Sequence, residues 1–415
     1  MSLRGVSISE GNIGANQAGD SRQFGLIGNG AVVVGKLALD TAYILRRIED
    51  AEALGITAAY DLENNMHVYR HISEFYRMNG PGRILNILLV ADTVALKNMI
   101  TPAKTLIVNA EGMISDLAFF VNSTTVITLI NGLPAALNEA ISPLQNLAEW
   151  AAQNDMPLHT IVEGYGISDT LSTLADLRDF EILVGEDPVK ISATKVSMVI
   201  AQDWNHAEAF TGNAKKFADV GTFLGVIASH AWNRNPGEVA TKNIQNVPLG
   251  SWMVGGLSNH KKHKEVFEAL GTLNDKGYII PIKYQGTAGY WFNDGPTMAP
   301  IVIDVQGNMN QHTIYFSHTI DQCVRALRLI YLPEIKKPVP LEGGLLPVDM
   351  VEYYNEIGNG VFNRMEAAGL ISEGKTNVDP NSDLIGNKIL DVQFTVVPTG
   401  TINELVGTIN LKTSI

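Results

Sequence analysis

The chain reads as a mainly parallel α/β domain followed by an α+β domain, with an extended β-arm at each end. Three observations predict this. Strand-like and helix-like segments alternate from about residue 24 to 265, the pattern of helices covering a parallel sheet. From about 266 the pattern changes to paired strands, two long helices and a further strand. The last twelve residues, "ELVGTINLKTSI", place Leu405, Gly407, Ile409, Leu411, Thr413 and Ile415 on one side of a period-two alternation. The expected division is an N-terminal arm over 1–23, an α/β domain over 24–265, an α+β domain over 266–400 and a C-terminal strand arm over 401–415.

The arm at the start contains the alternating stretch "LRGVSISEG", with Leu3, Val6 and Ile8, and then a polar Gly/Asn/Gln-rich link, "NIGANQAGDSRQ". "FGLIGNG" suits a first strand and "LALDTAYILRRIEDAEALG" a helix. "MHVYRHISEFYRMN" suits a second helix, and "GRILNILLVAD" a strand whose near-continuous apolar run fits a sheet covered on both faces. "TVITLI" and "LHTIVEGY" are expected as strands around the helix "PAALNEAISPLQNLAEWAAQN". "VSMVIAQD" is a strand before a helix near "AKKFADVGTFLGVIASHAW". Beyond 266, "KGYIIPIKYQGTAGYWFNDG" reads as two strands around a glycine-containing turn. Two helices follow, "HTIYFSHTIDQCVRALRLIYLPEI" and "PVDMVEYYNEIGNGVFNRMEAAG", and then the strand "KILDVQFTVVP".

Composition excludes several classes. With 46% hydrophobic and 18% charged residues, the chain of 415 residues is a folded globular protein with room for more than one core. A net charge of −13 argues against nucleic acid as the main partner and fits one with a basic surface. A single cysteine, Cys323, precludes an intrachain disulfide and a cysteine-based zinc site; its amphipathic setting suits a buried, inert thiol. The start lacks the apolar core of a secretory signal, and no apolar run approaches the roughly 20 residues that span a bilayer. Synthesis in the cytoplasm, without membrane contact, is the expectation.

Chemistry-bearing motifs are weak. Gly30–Lys36 within "GAVVVGKL" matches the first part of a P-loop and would support a nucleotide-binding protein or enzyme. Yet Leu37 stands where a Mg²⁺-binding hydroxyl is needed, and Ala-Val-Val-Val is too stiff to curl its amides around a phosphate. His67 and His71, four apart on a helix with Glu74 beyond, could face one metal, but an unliganded surface or interface pair fits them better. His260 and His263 in "NHKKHKE" suit a solvated helix start. Ser229 and His230 lie outside any G-x-S-x-G elbow. Asp294 in "YWFNDGP" suits a turn more simply than a carbohydrate site. No catalytic, cofactor or metal residue is assigned, and a structural role is the expectation.

The stretches "HVYRHISEFYRMNGPGRILNILLV", "YIIPIKYQGTAGYWFNDGPTMAP" and "HTIDQCVRALRLIYLPEI" resemble contractile tail-sheath proteins. The nearest resemblance is to the sheath-like family of phages and injection particles of Bacteroidetes-type bacteria. "WFNDGPT" stands where better-known sheaths carry a Trp-Gly-x-Arg-Thr turn. The resemblance implies a non-enzymatic subunit assembled in a bacterial cytoplasm into a virion tail or injection-particle sheath. It would form a helical polymer of stacked rings around an inner tube protein, with baseplate and tail-terminator partners and no cofactor. It also implies a larger outer α/β domain, a C-terminal domain against the tube, and terminal arms that add strands to a neighbour's sheet. Leu3, Val6, Ile8, Leu405, Ile409, Leu411 and Ile415 would pack in those arms, and Arg325 and Arg328 would mark a tube-facing or core helix.

Overall fold

The computed structural model describes residues 22–184, 187–409 and 411. The N-terminal arm, with Leu3, Val6 and Ile8, lies outside the described residues, as does Ile415. A six-stranded sheet organises the chain. Its strands are β1 (Gln23–Asn29), β2 (Ala42–Leu45), β3 (Leu85–Val90), β4 (Ile114–Phe120), β5 (His159–Glu163) and β6 (Val196–Val199), in the spatial order β6-β5-β4-β1-β3-β2. All neighbours run parallel except β2, which pairs antiparallel with β3 at one edge. Register sets Ile27 beside both Leu88 and Phe119.

Helices cover both faces. On one side pack α2 (Ile100–Asn109) and α3 (Ala135–Gln153), burying Leu106, Leu137, Leu144 and Leu147 with Ile27 and Phe119. On the other lie α1 (Val68–Asn79) and α4 (Val220–Ala228), with Phe24, Phe75, Phe120 and Phe223. The two helices approach closely because Gly221 and Gly225 lack side chains; a Cβ on Gly221 would stand 2.3 Å from the His71 backbone. The strands "LNILLV" and "ISDLAFF" are buried throughout, as expected of a sheet covered on both faces.

Beyond the sheet, Pro281–Ile282 pairs antiparallel with Trp291–Phe292, the strand–turn–strand expected there. Then come α5 (Ile314–Tyr331), α6 (Val348–Ala367) and a two-stranded antiparallel sheet of β7 (Ile371–Val378) and β8 (Val392–Pro398). These elements enclose smaller cores around Phe362 and around Tyr354. Among the described residues no helix is long and apolar enough to cross a membrane.

Several readings need correction. "LALDTAYILRRIEDAEALG" is not one helix: Ala42–Leu45 is the edge strand β2, and only Ile48–Ala53 turns helical. Pairing with β3 outweighs local helix propensity there. "TVITLI" contributes only Leu129–Ile130, an exposed two-residue strand paired with Leu133–Pro134. The sheet strand in that region is β4, masked in the sequence by Ser115 and Asp116. Strand β7, "ISEGKTNV", is polar enough to read as loop.

Candidate functional site

In open α/β sheets ligands settle at the carboxyl ends of the strands where strand order reverses. Here that place is occupied by the protein itself. Asn29, ending β1, donates from Nδ2 to the Ala91 carbonyl at 2.7 Å and accepts from the Asn122 backbone N–H at 3.2 Å. Asn122 returns a bond from Nδ2 to the Asn29 carbonyl at 2.8 Å and accepts from the His67 N–H at 3.1 Å. The crevice is closed by a reciprocal asparagine pair. The Gly30–Lys36 segment forms a tight turn: Lys36 and Leu37 both donate backbone N–H to the Val33 carbonyl, at 3.0 and 2.9 Å. Gly35 is left-handed and Val34 points outward. The next element is strand β2, so the segment does not open a helix as a phosphate loop must.

His67 and His71 are buried, not a surface pair. The His67 ring stacks on Phe217, centroids 3.9 Å apart, and its Nε2 bonds the Ala214 carbonyl at 2.6 Å. His206 joins them, 5.5 Å from His67. Burial holds all three imidazoles neutral, with His67 pushed down to about 3 and His71 and His206 well below the ordinary range. Among the described residues no group of three or more His, Cys, Asp or Glu is placed to hold a metal ion. His263 is also buried, whereas His260 stacks on Trp204 and pairs with Glu208 at 2.8 Å. His230 is buried as well, and its Nδ1 bonds the Ala231 carbonyl.

Beside the histidines lies a buried ion cluster. Arg70 bridges Asp219 at 2.6 Å, Asp203 at 3.0 Å and Glu74 at 3.4 Å. Glu74 also holds Arg77 at 2.5 Å and accepts from Thr222 and Ser251. Burial acts to raise the Glu74 carboxyl, but the Arg70 and Arg77 guanidiniums outweigh it and hold it at about 2. For Asp219 burial wins over Arg70, and the carboxyl rises to about 6. A cavity of about 320 Å³ opens beside the cluster, lined by Arg70, Glu74, Arg77, Asn205 and His206. The charged atoms around it are committed to partners within the chain. The cluster ties α1 and α4 to strand Ala201–Asp203 and to the loop at Ser251–Trp252, a structural clamp that the sequence reading missed.

The remaining candidates are surfaces. Arg325 on α5 donates to three carbonyls at the starts of β4 and β5: Gly112 at 2.7 Å, Ile114 at 3.1 Å and Pro157 at 2.5 Å. Arg328, one turn on, is half exposed and pairs with Asp155 at 2.9 Å. Three further contacts seat the same helix on the sheet: His318 with Asp116 at 2.6 Å, Lys195 with Asp321 at 2.5 Å, and His159 with Ser317 at 3.2 Å. Cys323 is buried near Met365, its thiol pushed up to about 12 by burial.

Strands β7 and β8 pair only with one another, so each leaves one edge without a partner among the described residues. After β8 the chain is pinned at its root. Asn233 donates to Thr399 Oγ1 at 3.2 Å, and the mostly buried Asp294 accepts from Asn235 at 2.8 Å and from Asn403 at 3.4 Å. Asp294 is therefore more than the turn residue expected of it. Residues 399–409 and 411 then form no strand within the chain. Leu405, Ile409 and Leu411 are 85%, 98% and 103% exposed.

This fold is shared, over nearly its whole length, with proteins of contractile particles. The chain is similar to one in the cryo-EM structure of the anti-feeding prophage baseplate, with a TM-score of 0.60, 11% identity and 99% of each chain covered. It is equally similar to a chain of the PVC sheath complex of an extracellular contractile injection system in its contracted state. There the TM-score is 0.60 and the identity 10%, covering 100% of this chain and 98% of that one. The crystal structure of a sheath tail protein from Desulfitobacterium hafniense matches at TM-score 0.50 and 7% identity, covering 95% and 100%. The resemblance to tail-sheath proteins is thus borne out at the level of the fold. The chain belongs to the DUF2586 family, whose N-terminal domain matches residues 5–296. No curated protein matches it.

Proposed function

We propose that this chain is the structural subunit of a contractile tail sheath, polymerising helically around an inner tube and contracting to drive the tube through a target envelope. The observation that carries this reading is the full-length likeness in fold to chains of contractile particles. Two features of the chain support it. The exposed apolar side chains of Leu405, Ile409 and Leu411 sit on a segment that pairs with no strand among the described residues. The β7–β8 sheet offers unpaired edges to receive such a segment from a neighbour. Strand addition supplies main-chain hydrogen bonds for affinity, and the side-chain alternation sets register. Leu3, Val6, Ile8 and Ile415 are assigned to the same arms. Head-to-tail exchange of this kind generates rings or open helices.

The division into arms, an outer α/β domain over 24–265 and a core domain over 266–400 belongs to this proposal. So do the partners: further copies of the chain, an inner tube protein, baseplate and terminator proteins, but neither nucleic acid nor membrane. Assembly would take place in the bacterial cytoplasm, with no catalysis required. Contraction would rotate subunits as near-rigid bodies while the arms stay joined. Arg325, by gripping the sheet, fits a core-helix role within that rigid body, while Arg328 stands at the surface. Negative-stain microscopy of the purified chain tests the reading: tubes or rings are expected. A strictly monomeric chain under every assembly condition, with intact termini, would overturn it.

A further inference from the structure

Two apolar surface features remain without a partner among the described residues, and their shapes are opposite. The first is a tongue at 300–310, "PIVIDVQGNMN". Ile303 and Met309 form an antiparallel bridge, and Asp304 Oδ1 closes the turn by accepting from the backbone of Gln306 at 2.9 Å and Asn308 at 2.8 Å. Asn310 braces the base, donating to the Pro300 carbonyl at 2.7 Å and accepting from the Val302 N–H at 3.1 Å. The hairpin is therefore built to hold its shape, yet Ile301, Val302, Ile303 and Val305 project into solvent, Val305 at 96% exposure. Asp304 is its one charged residue.

The second feature is a groove of about 920 Å³ in the C-terminal part, between α5, α6, β8 and the loop at 384–390. Tyr331, Val339, Tyr354, Ile385, Leu390 and Phe394 line it. Its rim carries Arg328, Lys336, Lys337 and Lys388 with a single acid, Glu334. Lys337 pairs with Glu334 and Arg328 with Asp155, whereas Lys336 and Lys388 have no ion-pair partner among the described residues. Both unpaired lysines hold left-handed backbone, φ 70° and 58°, where residues bearing a β-carbon are uncommon.

We propose that the tongue of one subunit inserts into this groove of a second copy, its apolar tip filling the cavity and Asp304 meeting the lysine rim. The pairing rests on the sheath-subunit reading, since it is a contact between copies. A protrusion on one surface and a pocket on another give a heterologous contact, which propagates into a ring or helix instead of closing a dimer. The charge pattern favours the tongue over the terminal arm as occupant. An acidic tip meets a basic rim, while the arm brings both Glu404 and Lys412. Apolar filling supplies the affinity, and the rim sets orientation. The tongue reaches the site already ordered, so little conformational freedom is lost on docking.

The test uses assembled full-length polymer, examined before and after contraction. Subunits carrying Val305→Cys are mixed with subunits carrying Ile385→Cys and treated with a short bis-maleimide; the buried native Cys323 stays silent. A covalent dimer is expected in the mixed polymer and in neither single-variant polymer. Val305→Asp, at a solvent-facing position, should leave the monomer's melting temperature unchanged while raising the critical concentration for assembly about tenfold, because it buries a charge in an apolar cavity. Polymers that form with no cross-link in either state, and with Val305→Asp assembling like wild type, overturn the inference and leave the sheath reading standing. A cross-link between Ile385→Cys and Leu405→Cys in place of the tongue also overturns it, making the arm the occupant. Failure of the wild-type chain to polymerise at all overturns both.

Discussion

Arg70 sits at the centre of the buried ion cluster in the α/β body. Its guanidinium serves Asp219, Asp203 and Glu74, with 8% of the side chain exposed. Arg70→Met would leave three carboxylates sharing what remains of the positive charge at a buried site. Removing one partner from a buried ion pair costs about 3–5 kcal/mol, and thermal unfolding should show a loss of that size. A change below about 1 kcal/mol would mean that solvent or Arg77 takes over the charge. The same region sets the pH response. Burial raises Asp61 to about 7, Asp219 to about 6 and Glu163 to about 8. A carboxyl raised on folding binds more proton in the native state, so its contribution is present at low pH and lost as pH climbs through the raised value. The buried histidines act the other way, and their stabilising contribution is lost as pH falls below their unfolded value near 6.5. The two effects oppose below about 6.5, and above it only the carboxyls still titrate. The melting temperature should therefore fall between pH 6.5 and 8.5. Glu163→Gln should flatten that fall while lowering stability throughout, since its carboxylate accepts from the Val121 and Ala218 N–H groups. An equal slope in the variant would assign the fall elsewhere.

At the level of elements, α5 is the joint between the sheet and the C-terminal part. One face grips the strand starts through Arg325, His318 and Asp321, and the helix continues toward α6 and β8. Arg325→Met removes three charge-assisted bonds to carbonyls and should cost about 3 kcal/mol in chemical denaturation. A neutral result would show that packing around Cys323 and Leu327 seats the helix unaided. The elements that could be read directly were those whose pattern serves their own packing. Leu85–Val90 is apolar throughout and central, and α1, α3, α5 and α6 keep helical spacing. Strand β4 was hidden because its Asp116 is satisfied by His318, 202 residues away, a partner no local window contains. Strand β2 was hidden because the free edge of β3 recruits a stretch that alone favours helix. In β7, Gly374 reads as a breaker but permits contact, since a Cβ there would stand 2.4 Å from Phe362 of α6. Among the site candidates, the near-P-loop carries Leu37 in place of the needed hydroxyl and leads into strand β2 instead of a helix. The burial of His67 and His71 was not foreseeable, because Phe217 and Ala214 reach them from another part of the chain.

The whole molecule sets a well-packed body against unfinished edges. The sheet is covered on both faces, and an asparagine pair closes the crevice at its strand ends. On the proposed reading, the C-terminal segment, the β7–β8 edges, the tongue and the groove are the places where a second copy would complete the structure. The period-two alternation of the C-terminal segment was legible in the sequence, although its described residues form no strand. The tongue and groove were not, since each joins residues distant in sequence or too irregular to show a period. Assembly through the C-terminal segment is tested most directly by sedimentation velocity of the full-length chain beside one lacking residues 406–415, with melting temperatures measured in parallel. Large assemblies are expected from the full-length chain, and from the truncated chain a folded monomer with an unchanged melting temperature. A truncated chain that assembles as well as the full-length one, or that unfolds outright, would contradict it.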